Sequence, residues 1–134
     1  MIGEKIGEEK GKITGRRVLR KSELQVAVEA TQQGAGEILG VKYTSMGTYS
    51  SVMRDSGTLL GEGQGVIMTQ DGESATWVGQ GVGLFRGKGM IGFRGAIYFG
   101  SASKKLEPLN SVAVVFEYEA DGEGNYTSKY WEWK

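Results

Sequence analysis

A chain of 134 residues with 16 basic and 16 acidic side chains, no cysteine and no histidine excludes much chemistry before any motif is sought. Without cysteine there is no disulfide, thiolate nucleophile or sulfur-ligated metal, and without histidine no Ser-His-Asp or Cys-His arrangement, no imidazole base and no ordinary zinc or iron site beyond a carboxylate-only one. Zero net charge supplies no summed field to hold nucleic acid or grip an acidic membrane, and it favours self-association over colloidal repulsion.

The length suits a single domain spanning 1–134 with one core. The start, Met1-Ile2-Gly3-Glu4-Lys5, has no apolar run of a signal peptide, and no stretch of about 18 apolar residues occurs, so a cytoplasmic location is expected. The 23 glycines stand against about nine expected from average usage, and with a single proline they point to many turns and tightly coiled strands.

In chain order, a first strand is expected near 4–19, closed by Arg20-Lys21-Ser22. Leu24, Val26, Val28 and Ala30 then alternate with Glu23, Gln25, Ala27 and Glu29, a period of two that marks a strand near 23–33 with one face inward. Turn clusters at Gln33-Gly34-Ala35 and Asp55-Ser56-Gly57 bound a third strand near 36–51, and a fourth runs near 57–69 to Gln70-Asp71-Gly72. Strands near 73–85 and 90–103 flank Arg86-Gly87-Lys88-Gly89. The connection Lys104 to Asn110 carries Pro108 and has room for one helical turn. Val112, Val114, Phe116 and Tyr118 alternate through a strand near 111–121, and Asp121-Gly122-Glu123-Gly124 leads to the last, near 125–133. Eight strands joined by short loops form an antiparallel meander. Closure removes the long edges, so the expected fold is an all-β, eight-stranded antiparallel barrel.

One hairpin can be registered from sequence. A three-residue loop ending in Gly72 pairs Thr69 with Glu73, which sets Val66 against Thr76, Gln64 against Val78, Glu62 against Gln80 and Leu60 against Val82. On the opposite face Gly65 meets Trp77, Gly63 meets Gly79 and Gly61 meets Gly81. Two glycine tracks thus lie side by side, suited to sharp coiling or to large rings packing down, with Trp77 the nearest ring.

Motifs with apparent chemistry fail on context. Gly87-Lys88-Gly89-Met90-Ile91-Gly92 fits a dinucleotide fingerprint but is followed by a strand rather than a helix. Asp121, Glu123, Asn125 and Glu132 sit at EF-hand positions, but Tyr126 replaces the required glycine. Ser101-Ala102-Ser103-Lys104 lies at a strand end, where the S-x-x-K geometry cannot form. Neither a cofactor nor a metal is expected.

More informative are polar residues set among apolar ones: Glu62 and Gln64 between Leu60, Val66 and Met68; Gln80 between Val78 and Val82; Arg94 beside Ala96 and Tyr98. Were this face to line the barrel, Glu62, Gln64, Gln80, Arg94 and Tyr98 would be ligand-binding residues, and a lumenal Glu62 could serve acid–base work. On the opposite assignment Glu62 and Arg94 face water or pair with neighbouring charges.

The stretches Gly61-Glu62-Gly63-Gln64-Gly65, Asp71-Gly72-Glu73-Ser74-Ala75-Thr76-Trp77, Gly79-Gln80-Gly81, Arg94-Gly95-Ala96-Ile97-Tyr98-Phe99, Leu109-Asn110, Phe116-Glu117-Tyr118 and Trp131-Glu132-Trp133 resemble a group of uncharacterised bacterial proteins of the allene-oxide-cyclase-like barrel class. The resemblance implies an eight-stranded barrel, a lumen for an apolar small molecule, and oligomers; it carries over no individual functional residue. The leading expectation is binding, with cyclisation or isomerisation, of a small apolar molecule inside the barrel. The alternatives are a non-catalytic, lipocalin-like carrier and a structural homo-oligomer whose glycine face makes the subunit contact.

Overall fold

The computed structural model describes residues 1–134. Eight strands follow in order: β1 (Ile2–Arg20), β2 (Val26–Ile38), β3 (Val41–Met53), β4 (Leu59–Met68), β5 (Ser74–Gly87), β6 (Met90–Gly100), β7 (Ala113–Ala120) and β8 (Asn125–Trp133). Each pairs antiparallel with the next, and β1 pairs with β8 to close the barrel. The registered hairpin forms as expected: Val66 opposes Thr76, Glu62 opposes Gln80 and Gly65 opposes Trp77. Its turn holds Gly72 at φ +87°, the left-handed backbone that glycine alone adopts without a Cβ penalty. No helix is long and apolar enough to cross a membrane.

Two turns fall elsewhere than expected. Gln33-Gly34-Ala35 continues β2, and the chain reverses instead at Leu39-Gly40, both with positive φ. The glycine at 34 serves a close approach within the sheet rather than a turn. The loop after β1 extends through Gln25, whose carbonyl accepts from Lys21 N and Ser22 N, so Leu24 lies outside the strand and is 97% exposed. The connection between β6 and β7 holds one 3₁₀ turn, Glu107–Ser111.

That turn closes one end of the barrel. Leu106 and Leu109 insert among Ile38, Ile67, Ala75, Phe99 and Val114 to form the larger apolar cluster. Asn110 anchors the plug by accepting from Ser101 N (2.8 Å) and donating to Ser101 O (2.9 Å). At the other end β1 runs past Lys12, its last pair with β8, so its final turn of hairpin with β2 stands above the rim.

Inside, glycine and aromatic residues are complementary. A Cβ on Gly83 would lie 2.6 Å from the Phe93 ring and one on Gly61 2.9 Å from it; a Cβ on Gly47 would lie 2.7 Å from Trp77. Real Cβ atoms do not approach so closely, so these rings rest directly on bare backbone. The glycine tracks therefore face the lumen, and the expectation that they form a subunit contact is corrected: they are filled by the barrel's own side chains.

Candidate functional site

The same alternation that places Gly7, Glu9 and Gly11 on one face of β1 turns Glu9 into the barrel. It is 5% exposed. Tyr43 O–H donates to Glu9 Oε1 at 2.8 Å, and Tyr126 O–H donates to Oε2. Glycines make room for both hydroxyls: a Cβ on Gly36 would stand 2.8 Å from the Tyr43 hydroxyl, and one on Gly34 would collide with that of Tyr126. Tyr130 and Ser128 stand beside the same carboxylate. None of the five ion pairs in the structure involves Glu9.

A second polar group lies along the lumen. Tyr118 O–H donates to Gln32 Oε1 at 2.9 Å and lies 3.4 Å from the Tyr49 hydroxyl, while its ring stacks on Tyr126 at 5.2 Å between centroids. Edge-to-face contacts of Tyr49 and Tyr118 with Phe93 complete this cluster. Burial pushes the phenols of Tyr43, Tyr118, Tyr126 and Tyr130 well above their ordinary value near 10, with Glu9 adding to the rise in each. All four are held as neutral hydroxyls at physiological pH, so that Tyr43 and Tyr126 serve as donors to the carboxylate and Tyr118 as a donor to Gln32.

Between these groups lies a cavity of about 80 Å³. Glu9, Gln32, Ser128, Glu62 and Gln80 give its polar lining; Trp77, Phe93, Ile97 and Phe116 give its apolar wall; Gly61, Gly63, Gly79 and Gly81 form a floor without side chains. It is several times smaller than the roughly 300–1,000 Å³ of drug-sized ligand sites, but large enough for a small molecule or a few waters. Chemically the arrangement offers one carboxylate as a proton acceptor or counter-charge, tyrosine hydroxyls and an amide as hydrogen-bonding groups, and aromatic faces.

Of the five residues expected to bind a ligand, Glu62 and Gln80 border the cavity, whereas Gln64, Arg94 and Tyr98 do not. Glu62, Gln64, Gln80, Arg94 and Tyr98 all lie on the outer face and are exposed. Glu62, Gln64, Gln80 and Tyr98 border an open groove on that face, and Arg94 pairs instead with Glu117 (3.2 Å) and Glu119 (2.8 Å) of β7. The expected place in the lumen is therefore corrected for Gln64, Arg94 and Tyr98, while Glu62 and Gln80 border both the cavity and the outer groove. Glycine has no side chain to register as apolar, so the face bearing Leu60, Val66, Val78 and Val82 looked like the interior. Glu9 escaped notice within the charged segment Glu4 to Lys12. Its signal was being the single charge on the Gly7, Glu9, Gly11, Ile13 face.

The EF-hand-like segment is a hairpin turn. Asp121 Oδ1 accepts from Glu123 N and Asn125 N, each at 2.9 Å, and Asn125 Nδ2 donates to Oδ2 at 3.0 Å. The hydrogen bond from the Asn125 side chain, with those from the turn amides, draws the Asp121 carboxyl below its ordinary range.

No protein-family model matches the sequence, and no curated protein is similar to it in sequence. Solved structures share the fold. A protein of unknown function from Clostridium acetobutylicum superposes with a TM-score of 0.81 at 14% identity, covering 98% of this chain and 99% of that one. A β-barrel-like protein from Acinetobacter baumannii gives 0.82 at 14% identity, covering 99% and 96%. An enzyme from Penicillium herquei gives 0.71 at 17% identity, covering 97% and 92%. At these identities the likeness shows a shared barrel architecture.

Proposed function

We propose that this barrel binds a small, largely apolar molecule in its lumen, oriented by Glu9 at one end of the cavity and by the Gln32, Tyr118 and Tyr49 groups at the other. The observation that carries the proposal is the internal cavity itself, whose glycine floor leaves space where a filled core would be more stable. A buried carboxylate held by two phenols adds to it. Such a group costs several kcal/mol to bury, and that cost is offset only in part by hydrogen bonds.

The resemblance to allene-oxide-cyclase-like barrels and the likeness in fold to an enzyme support a catalytic form of this reading. In it the lumen cyclises or isomerises its ligand, with Glu9 taking or giving a proton. The cavity volume favours a compact substrate over a long acyl chain. A carrier of lipocalin type would use the same contacts without proton transfer.

Native mass spectrometry of protein purified from its own host tests the proposal. A bound small molecule is expected, retained in Gln64→Ala and weakened in Gly79→Ala, which adds a methyl group to the cavity floor. Absence of any bound species, together with no perturbation of lumenal NMR resonances by a fragment set, would reject it. A ligand that leaves chemically changed supports catalysis; one returned unchanged supports the carrier.

Self-association through the outer face is a second reading, favoured by exposed Leu60, Val78, Val82 and Tyr98 in a chain of zero net charge. Sedimentation velocity on the wild type and on Val78→Lys tests it: a monomer at high concentration removes the idea.

A further inference from the structure

The lumen holds a buried carboxyl group with no basic side chain to meet it. No lysine or arginine lines the cavity, and Glu9 accepts only from neutral phenols. A carboxyl group withdrawn from water without a cationic partner is best complemented by a ligand that brings the positive charge and N–H donors the protein leaves out. Around it the lining is aromatic, with Tyr49, Trp77, Phe93, Phe116, Tyr118 and Tyr130. Aromatic faces carry negative potential and attract cations while accepting apolar substituents equally well.

Other charge classes fit badly. An anion would meet Glu9 with no guanidinium or ammonium to compensate. A hard metal cation needs six or more oxygen ligands, whereas no group of three metal-ligating side chains exists in the structure. An organic cation needs only one carboxylate to accept its N–H and rings to cover its carbons.

We infer that the lumenal ligand is a small protonated amine, its ammonium on Glu9 and its apolar substituent against the ring walls. The inference rests on the reading of the cavity as a binding site and names the chemistry of its occupant. It makes Glu9 a counter-ion first and a proton acceptor only if the bound amine is further activated.

Titration with three probes of one shape and different charge, followed by NMR of lumenal resonances, tests it: isobutylamine, isobutanol and isobutyrate. The wild type is expected to bind the amine about tenfold or more tighter than the alcohol, and isobutyrate not at all. In Glu9→Gln that preference disappears, the amine binding no tighter than isobutanol. An alcohol that binds as tightly as the amine, or isobutyrate as the tightest probe, overturns the inference while leaving the cavity a binding site. Failure of all three to perturb the lumen removes the binding reading and this inference with it. Should Glu9→Gln fail to fold, as circular dichroism will reveal, the charge series on the wild type alone decides.

Discussion

The plugged end of the barrel and its middle are built from the same strands with opposite packing rules. At the plug, β4 contributes Ile67, β5 Ala75 and β6 Phe99, and these close on Leu106 and Leu109 in a mainly apolar cluster whose edge toward the middle is formed by Tyr43 and Tyr130. A few residues along, the same strands contribute Gly61, Gly63, Gly79 and Gly81, and the space is only partly refilled by Phe93, Phe116 and Trp77. Aliphatic filling gives close-packed contact and stability; rings standing on glycine give walls, a void and places for hydroxyls. The barrel thus concentrates stability at one end and leaves vacancy, charge and hydrogen-bonding capacity at the centre.

Four perturbations sharpen the contrast. The largest effect is expected from alkali, which acts on the middle. The phenols of Tyr43, Tyr118, Tyr126 and Tyr130 have folded-state values raised above the unfolded value near 10. Their contribution is fully present below pH 10 and is lost as pH rises beyond it, because the unfolded chain releases protons that the folded chain retains. Each such group removes about 1.4 kcal/mol of stability per pH unit. Thermal melts from pH 9 to 12 should show a steep fall in Tm, with phenolate absorbance appearing together with unfolding rather than before it.

Next is Leu109→Ala, which opens the plug. Leu109 is 1% exposed, and its truncation is expected to cost about 2–5 kcal/mol in urea unfolding while leaving affinity at the lumen unchanged. A loss of less than about 1 kcal/mol would mean that the plug is not where the stability lies.

Gly83→Ala probes the ring-on-glycine rule. The added methyl must displace Phe93, at an expected cost of about 1–3 kcal/mol, and Phe93→Leu in the same background should recover part of it. The smallest effect belongs to Gln64→Ala on the outer face, expected to stay within about 0.5 kcal/mol and to leave lumenal binding untouched.

Much of the architecture was legible locally. The alternation of Val114, Phe116 and Tyr118, the left-handed Gly72 and the single turn of helix near Pro108 are consequences of neighbours in sequence, so short-range rules found them. Gly34 was misread because a glycine inside a strand and a glycine in a turn look alike until the approaching group, here the Tyr126 hydroxyl, is known. The site was legible only as chemistry in the wrong place. Glu62 and Gln80 do face one another across β4 and β5, but on the convex side.

By itself the sequence determined the strands, their hairpin order and the β4–β5 register, because a period of two and the chemistry of a short turn act over a few residues. Only the tertiary structure decided which face is inside. Closing a sheet crowds its concave side, and the choice falls to whichever face combines bare backbone with rings that reach across from other strands. For the same reason it alone brought Tyr43 and Tyr126 to Glu9, across 34 and 117 positions of chain.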